Sequence, residues 1–414
     1  MTVRVNKSSF NIREKLSELE RPIGLKGSEL MRAETAQEAG ALLGVGRRNT
    51  VINGDFRIAQ RATDTGTVSL ATNQSYPTVD RWKNYTYNYS GTFTPQYRMR
   101  KYNDHPVSGA QGYCLRYDCI SADTPATDID FLTVHQKFEA DNTINFYGNY
   151  LSLSFWVKSN KTGPYTVQFR ANGGTSGGQT PNSMWKYYVN NPDVWEYKTI
   201  LIQPQTLALM AAGNGQSYSL FFHLASGQNS NQSGAIANLE NKWGIFSSNG
   251  VAFTDQSNLM SNAGNYWQVT NVQLEVGKNA TEFEHRSYGE ELALCQRYYQ
   301  IILDNDGTEP DVIGVFAGRS TSTSNIVFTV PLAVPMRAEP STTGSTVGTI
   351  YAYSGGTRVD NGGSGGLTLN SSNEWTPYSS HVLLTAGGFT LTDDRIYNIG
   401  GVSTGAFWIL DSEL

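Results

Sequence analysis

The sequence predicts a mainly β protein: antiparallel β-sandwich or jelly-roll domains, preceded by a short helical N-terminal arm and interrupted once by a short linking helix. Three observations predict it. Charged residues make up only 16% of the 414 residues, while aromatics reach 12%, with 23 Tyr and 41 Gly, a composition that suits strands joined by many turns. Hydrophobic residues recur with period two over many short stretches. And no long helices are interleaved with those stretches, which implies an antiparallel sandwich or jelly roll.

Residues 1–48 stand apart. Asn11 and Glu14 have capping-box spacing, and Ile12, Leu16 and Leu19 fall on one helical face before Pro22 stops it. A second box, Thr35 with Glu38, runs on to Leu42 and Leu43 and ends at Gly44. Helices of two or three turns are marginal alone in water. The arm is therefore expected to dock, either on another protein or as a cap on the domain behind it.

From residue 49 to 286 the period is two. Thr50–Ile58 reads as a strand kinked at Gly54. Leu151–Lys158 and Tyr165–Arg170, joined by Asn160–Gly163, read as a hairpin. Tyr218–Leu224 and Trp267–Val276 are further strands. Cys114 and Cys119 lie in a strand-like segment; with Cys295 they make an odd count at irregular spacing, neither a disulfide framework nor a zinc pattern, and are expected to be buried free thiols.

Ser287 and Glu290 form a third capping box, and Leu292, Leu294, Cys295 and Tyr298 supply an apolar side for a helix at the seam between two domains. The last domain, 287–414, continues with strands at Asn325–Val330 and Thr404–Leu410. Its part from 301 onward has no Lys, four Arg and eleven acids, a net of 4 − 11 = −7, with Gly-rich loops at 353–357 and 361–366. Such loops are common recognition sites and equally common flexible connections.

The whole chain carries a formal charge of −5 without a basic block, which argues against nucleic-acid binding. No apolar run is long enough for a membrane helix. The N-terminus lacks the apolar core and cleavage site of a signal peptide, so synthesis in a cytoplasm is expected.

Three stretches carry a resemblance: FNIREKLSELERPIGLKGSELMRAETAQEAGALLG (10–44); RNTVINGDFRIAQRAT (48–63) followed by TVDRWKNY (78–85); and VTNVQLEVGKNATEFEHRSYGEELALCQRYYQ (269–300) followed by VPMRAEPS (334–341). Together they resemble virion proteins of tailed phages, of the tail-fibre or head-fibre type. The region from INGDF to QLEVG, with LSFWVKS between, is also similar to jelly-roll carbohydrate-binding modules. The resemblance implies a homotrimer exposed on the virion and attached to another virion protein by the N-terminal arm. It also implies contact with host-surface polysaccharide. The alternatives are a capsid decoration protein or head fibre, and a glycan-degrading tailspike.

Sugar binding needs aromatic faces and fixed polar groups. The candidates are Trp82, Tyr85, Trp185, Tyr187, Trp195 and Trp243, with the loop 172–178 beside Trp185; a sandwich core needs about this many aromatics, so each taken singly is a candidate for core or subunit interface before it is one for sugar. Asp304 and Asp306 offer oxygens for calcium on a turn that lacks the full EF-hand pattern. By likeness to the sugar modules, Asp55 and Glu275 are candidate ligands of a structural calcium. The five His show no metal-ligand spacing, and neither a G-x-S-x-G elbow nor a P-loop occurs. A non-enzymatic protein is therefore expected.

Overall fold

The computed structural model describes residues 48–414 apart from short internal segments, the longest being 228–239, 305–315 and 370–378, with 124–129, 173–179 and 246–251 among the others. The anchoring candidates Ile12, Leu16, Leu19, Leu42 and Leu43 lie outside the described residues, as do Asp306 and most of the loop 172–178.

The fold is mainly β and antiparallel, as the composition predicts. Two sheets face each other in the first part of the chain. One has the order β1-β4-β5-β13-β7-β10, with β1 Val68–Ser69, β4 Gln96–Asn103, β5 Tyr113–Ser121, β13 Tyr266–Val276, β7 Leu151–Ser159 and β10 Glu196–Ile202. The other has the order β12-β9-β8-β11-β6-β3-β2, with β12 Gly244–Ile245, β9 Pro181–Val189, β8 Gly163–Ala171, β11 Gln216–Ser226, β6 Phe131–Glu139, β3 Lys83–Tyr87 and β2 Asn73–Ser75. Alternate residues of these strands, such as Leu153, Phe155, Val167, Phe169, Leu220 and Phe222, form one buried core between the sheets. Period two in the sequence is the imprint of the face turned to that core; the other face of the central strands β6, β11 and β13 is buried as well, with polar residues on it.

Two expectations are corrected. Leu151–Lys158 and Tyr165–Arg170 are strands, but not a hairpin: β7 pairs with β10 and β13, whereas β8 pairs with β9 and β11. The turn between them crosses from sheet to sheet, so each strand turns its apolar residues onto the same core from opposite sides. Thr50–Ile58 is not a strand either. Asn53 and Phe56 both take positive φ, which breaks the pleat. Its backbone instead exchanges bonds with β13: Thr50 N donates to Leu274 O at 2.9 Å and Val272 N to Gly54 O at 2.9 Å. These bonds sit beside the bulge of β13, where Asn271 has positive φ and the pairing with β7 slips. A Cβ on Gly54 would stand 2.2 Å from Val272 O; this, rather than a kink, is why glycine is required.

Cys114 and Cys119 are buried free thiols, as is Cys295. Five positions apart on β5, Cys114 and Cys119 point to opposite sides of the sheet. Burial pushes the Cys114 thiol up to about 12 and that of Cys119 to about 11.

The helix α1, Tyr288–Gln296, starts at the expected capping box: Ser287 accepts from Glu290 N and Glu290 reaches back to Ser287 N at 2.8 Å. Cys295 and Tyr298 pack with Ile52 and Ile58, and Leu292 and Leu294 flank them. The chain then enters β14, Tyr299–Asp304, whose partner is β22, Phe407–Asp411. Between them lies a sheet of order β18-β17-β21-β15-β16-β20-β19, formed by β15 Phe316–Ser320, β16 Ile326–Pro331, β17 Ile350–Ser354, β18 Thr357–Asp360, β19 Leu367–Leu369, β20 His381–Ala386 and β21 Ile396–Val402. It has its own core around Phe328, Leu384, Ile399 and Trp408. The Gly-rich stretch 353–357 is a tight hairpin joining β17 to β18; Gly355 and Gly356 both take positive φ, the requirement of a type I′ turn.

The two cores meet across a charged junction. Arg81, fully buried and itself at positive φ, pairs with Glu413, donates to Lys137 O at 2.7 Å and lies 3.4 Å over the Tyr298 ring. Arg61 pairs with Asp411 at 3.1 Å and Glu413 at 3.4 Å, over the Tyr299 ring. Glu139 accepts from Nε and Nη2 of Arg297, at 2.9 and 2.8 Å, and from the Tyr298 hydroxyl.

Candidate functional site

In the second sheet the core takes Leu132, Val134, Tyr165, Val167, Leu220 and Phe222. The alternate residues face outward, and the register sets them in rungs across four neighbouring strands. Lys83, His135, Phe221 and Gln168 form one rung; Tyr85, Thr133, His223 and Thr166 form the next. Lys137, Ser219 and Arg170 extend the first side, and Tyr87 with Phe131 the other.

This face is aromatic along one diagonal. Tyr85 stands edge-on to Phe131 at 4.8 Å, Tyr87 stacks on Phe131 at 5.6 Å, and His135 lies 4.6 Å from Phe221. The Arg170 guanidinium covers Phe221 at 4.7 Å. Along the other diagonal it is polar. Gln168 Nε2 donates to Asn182 Oδ1 at 3.0 Å, so Gln168 Oε1 is the acceptor for His223 Nε2 at 3.1 Å. That network assigns the proton to Nε2 and leaves His223 Nδ1 an acceptor. His223 Nδ1, His135 Nδ1 and Asn182 Nδ2 are buried without a hydrogen-bond partner in the protein. Acceptors and a donor on one face suit hydroxyl groups, which supply both functions.

Phe253, Asp255 and Gln256 wall one end. Phe253 packs on Met184, Gln256 Oε1 accepts from Thr166 N at 2.7 Å, and Asp255 pairs with Lys186 at 3.0 Å. At the other end the charges are cationic. Burial, with Lys83 adding repulsion, lowers Lys137 to about 8. Burial also lowers Arg170, to about 10. It lowers His223 to about 3, with Arg170 contributing, and His135 well below the usual imidazole range, so both rings are neutral.

Of the sequence-predicted aromatics, only Tyr85 is on this face, half-buried. Trp82, Trp185 and Tyr187 are corrected: they point inward and belong to the core. Trp82 packs on Phe56 at 5.0 Å and donates to Asn53 O at 3.0 Å; Tyr187 stacks on Tyr165 at 5.6 Å and accepts from Trp267 at 3.0 Å. A ring closed between two sheets has no face left for a ligand. Trp243, half-buried, abuts Trp185 and donates to Gln203 O at 2.7 Å, at the sandwich edge. Trp195 lies with the other sheet, its indole donating to Asp104 at 3.3 Å beside Lys158.

The described carboxylates proposed for calcium have other partners or are exposed. Glu275 accepts from Thr281 N and Thr281 Oγ1, both at 2.8 Å, and from Gln273 at 3.0 Å. Asp55 pairs with Arg57, leaving its Oδ1 without a partner. Asp304 is exposed at the end of β14. Among the described residues no three His, Cys, Asp or Glu gather as a metal site.

The fold and face define a β-sandwich with an aromatic and polar outer sheet face. No family model matches the chain, and no curated protein matches it. Among solved structures it is similar to the tailspike protein 4 enzymatically active domain of bacteriophage CBA120, at 11% identity and a TM-score of 0.30, over 55% of this chain and 21% of that one. The chain thus spans about a fifth of that tailspike domain. It is also similar to a putative sugar binding protein from Bacteroides thetaiotaomicron, at 12% identity and a TM-score of 0.28, over 56% of this chain and 100% of that one. A family 11 carbohydrate-binding module from Clostridium thermocellum, in complex with a mixed-linked tetrasaccharide, gives 11%, 0.24, 54% and 99% in the same order.

Proposed function

We propose that this chain is a non-catalytic glycan-binding protein and that the outer face of the second sheet holds the sugar. The observation that carries the reading is the set of buried, unpartnered polar atoms of His135, His223 and Asn182 beside the Tyr85, Phe131 and Phe221 rings. Aromatic edges and faces suit the C–H surface of a pyranose, and paired acceptors and donors suit its hydroxyls. The outward positions of β3, β6, β8 and β11 carry one acid, Glu139 at the end of β6, and Arg297 holds it. The face therefore lacks the pair of carboxylates by which glycosidases cleave.

The setting proposed is the virion of a tailed phage, as a homotrimeric fibre or appendage attached through its N-terminal arm and touching host-surface polysaccharide. The motifs at 10–44, 48–63 and 269–300 support this.

The test is a polysaccharide microarray followed by calorimetry on hits, with Tyr85→Ala alongside. Binding weakened about five- to tenfold by Tyr85→Ala is expected, a loss of roughly 1 kcal/mol. Unchanged binding in that variant moves the site elsewhere, and new reducing ends on incubation with a bound polysaccharide overturn the non-catalytic reading.

A further inference from the structure

We infer that β10 is a self-association edge: two copies of this chain pair their β10 strands antiparallel about a two-fold axis, joining their sheets β1-β4-β5-β13-β7-β10 into one. The inference goes beyond the glycan-binding reading and does not depend on it.

An edge strand presents unpaired N–H and C=O groups, and folds blunt such edges by keeping them short, bulged or charged. Five of the six edges of the three large sheets are blunted by length. β1 and β12 have two residues each, β2 and β19 three, and β18 four. β10, Glu196–Ile202, has seven, all in unbroken register with β7. It contains neither Pro nor Gly. Among the described residues no strand other than β7 pairs with it.

Its side chains do not guard the edge either. Tyr197, Thr199 and Leu201 stand outward and exposed, Tyr197 at 44% and Leu201 at 40%. Trp156 extends this apolar row, its ring 5.3 Å from that of Tyr197. Lys198, on the inward side, pairs with Glu196 at 2.6 Å, and Glu196 also accepts from Asn190 N and Asn191 N at 2.8 and 2.7 Å. The pair is neutral, so a second copy brings no unbalanced charge against it.

The symmetry of the row names the occupant. Antiparallel pairing centred on Thr199 sets Tyr197 against Leu201 of the partner subunit, and Leu201 against Tyr197 of the partner subunit. Thr199 then meets Thr199 of the partner subunit on the axis. Aromatic–aliphatic and Thr–Thr pairs are favourable across strands, and one patch serves both copies, as a two-fold interface requires. Centring on Lys198 would set lysine against lysine, which fixes the register. A three-fold assembly through other surfaces is doubled by this contact, not replaced.

The test reads the full chain by light scattering over a concentration series, together with cross-linking. The expected mass is an even number of copies. Thr199→Cys adds an accessible thiol to a chain whose own cysteines are buried. Opposed Cα atoms lie about 4.5–5.5 Å apart, within reach of a disulfide. Oxidation should link Thr199→Cys in pairs and leave Ile396→Cys, 70% exposed on the last sheet, unlinked. Tyr197→Lys with Leu201→Lys sets like charges opposite each other and should weaken association about tenfold. Tyr197→Lys with Leu201→Glu sets opposite charges in the same places and should restore most of it. An odd number of copies at every concentration, a single copy included, overturns the inference. So does linking of Ile396→Cys as fast as Thr199→Cys, or equal association of the two charge variants.

Discussion

Replacing Glu413 by Leu removes the anion from a junction in which the Glu413 and Arg81 side chains are only 5% and 1% exposed. An exposed pair would lose less than about 1 kcal/mol, but removing one partner of a buried pair costs about 3–5 kcal/mol, because the other charge is left in a poorly solvated site. Arg81 keeps its bond to Lys137 O and the Tyr298 ring, and Arg61 keeps Asp411, so the lower end, about 3 kcal/mol, is expected here. Replacing both partners, as Arg81→Met with Glu413→Leu, removes the stranded charge and should recover stability to within about 1 kcal/mol of the parent. The assay is urea unfolding followed by tryptophan fluorescence, which reports both cores through Trp82, Trp267 and Trp408. Because the pair joins the two cores, the single variant should also split one transition into two. A single-variant loss below about 1 kcal/mol, or a double variant as unstable as the sum of the singles, would refute the reasoning.

Gly54→Ala should destabilise the chain by at least about 2 kcal/mol, because a Cβ would press on Val272 O within the β13 bulge; an unchanged melting temperature sinks that account. The buried His223 stays neutral down to about 3, below its ordinary 6.5. The unfolded chain therefore binds the proton first, and stability should fall as pH drops from about 6.5 toward 3, less steeply in His223→Gln; parallel pH–stability curves for the two proteins would contradict this. Trp195→Ala should leave polysaccharide binding within about twofold, since Trp195 lies with the other sheet, whereas a large loss in calorimetry would relocate the site.

The strands were legible because the face turned to the core takes apolar residues and the other face takes mostly polar ones: β5, β11, β13 and β16 lie where Tyr, Phe, Val and Leu recur at alternate positions. The helix cap at Ser287 and Glu290 was legible because its two hydrogen bonds are local in sequence. Sheet membership was not. A short turn between β7 and β8 reads as a hairpin unless one knows that both strands need the same core. The candidate face was legible only in Tyr85. Its other members, His135, Phe221, Gln168 and His223, are aligned by register between strands up to 90 positions apart, and nothing local marks them. The large Trp residues are the more conspicuous candidates in the sequence, and two of the four, Trp82 and Trp185, fill space between the sheets. The signal that would have found the face is the outward stripe Phe131, Thr133, His135, Lys137, an aromatic and polar series on a strand whose core-facing residues include Leu132, Val134 and Phe138.

The pairing of β14 with β22 brings the way into the last sheet and the way out of it side by side, Asp304 against Phe407. The residues that clamp this stem to the first sandwich, Arg61, Arg81, Asp411 and Glu413, lie outside the sheet it carries. One residue from between the two strands reaches back across the junction: Arg337 donates to Asn214 O at 2.7 Å and to Ser412 O at 2.9 Å. A different β unit whose ends lie a strand spacing apart can therefore be set on the same stem provided that it brings an arginine to that place. The stem fixes where a distal unit begins and ends, and Arg337 fixes how it leans on the body.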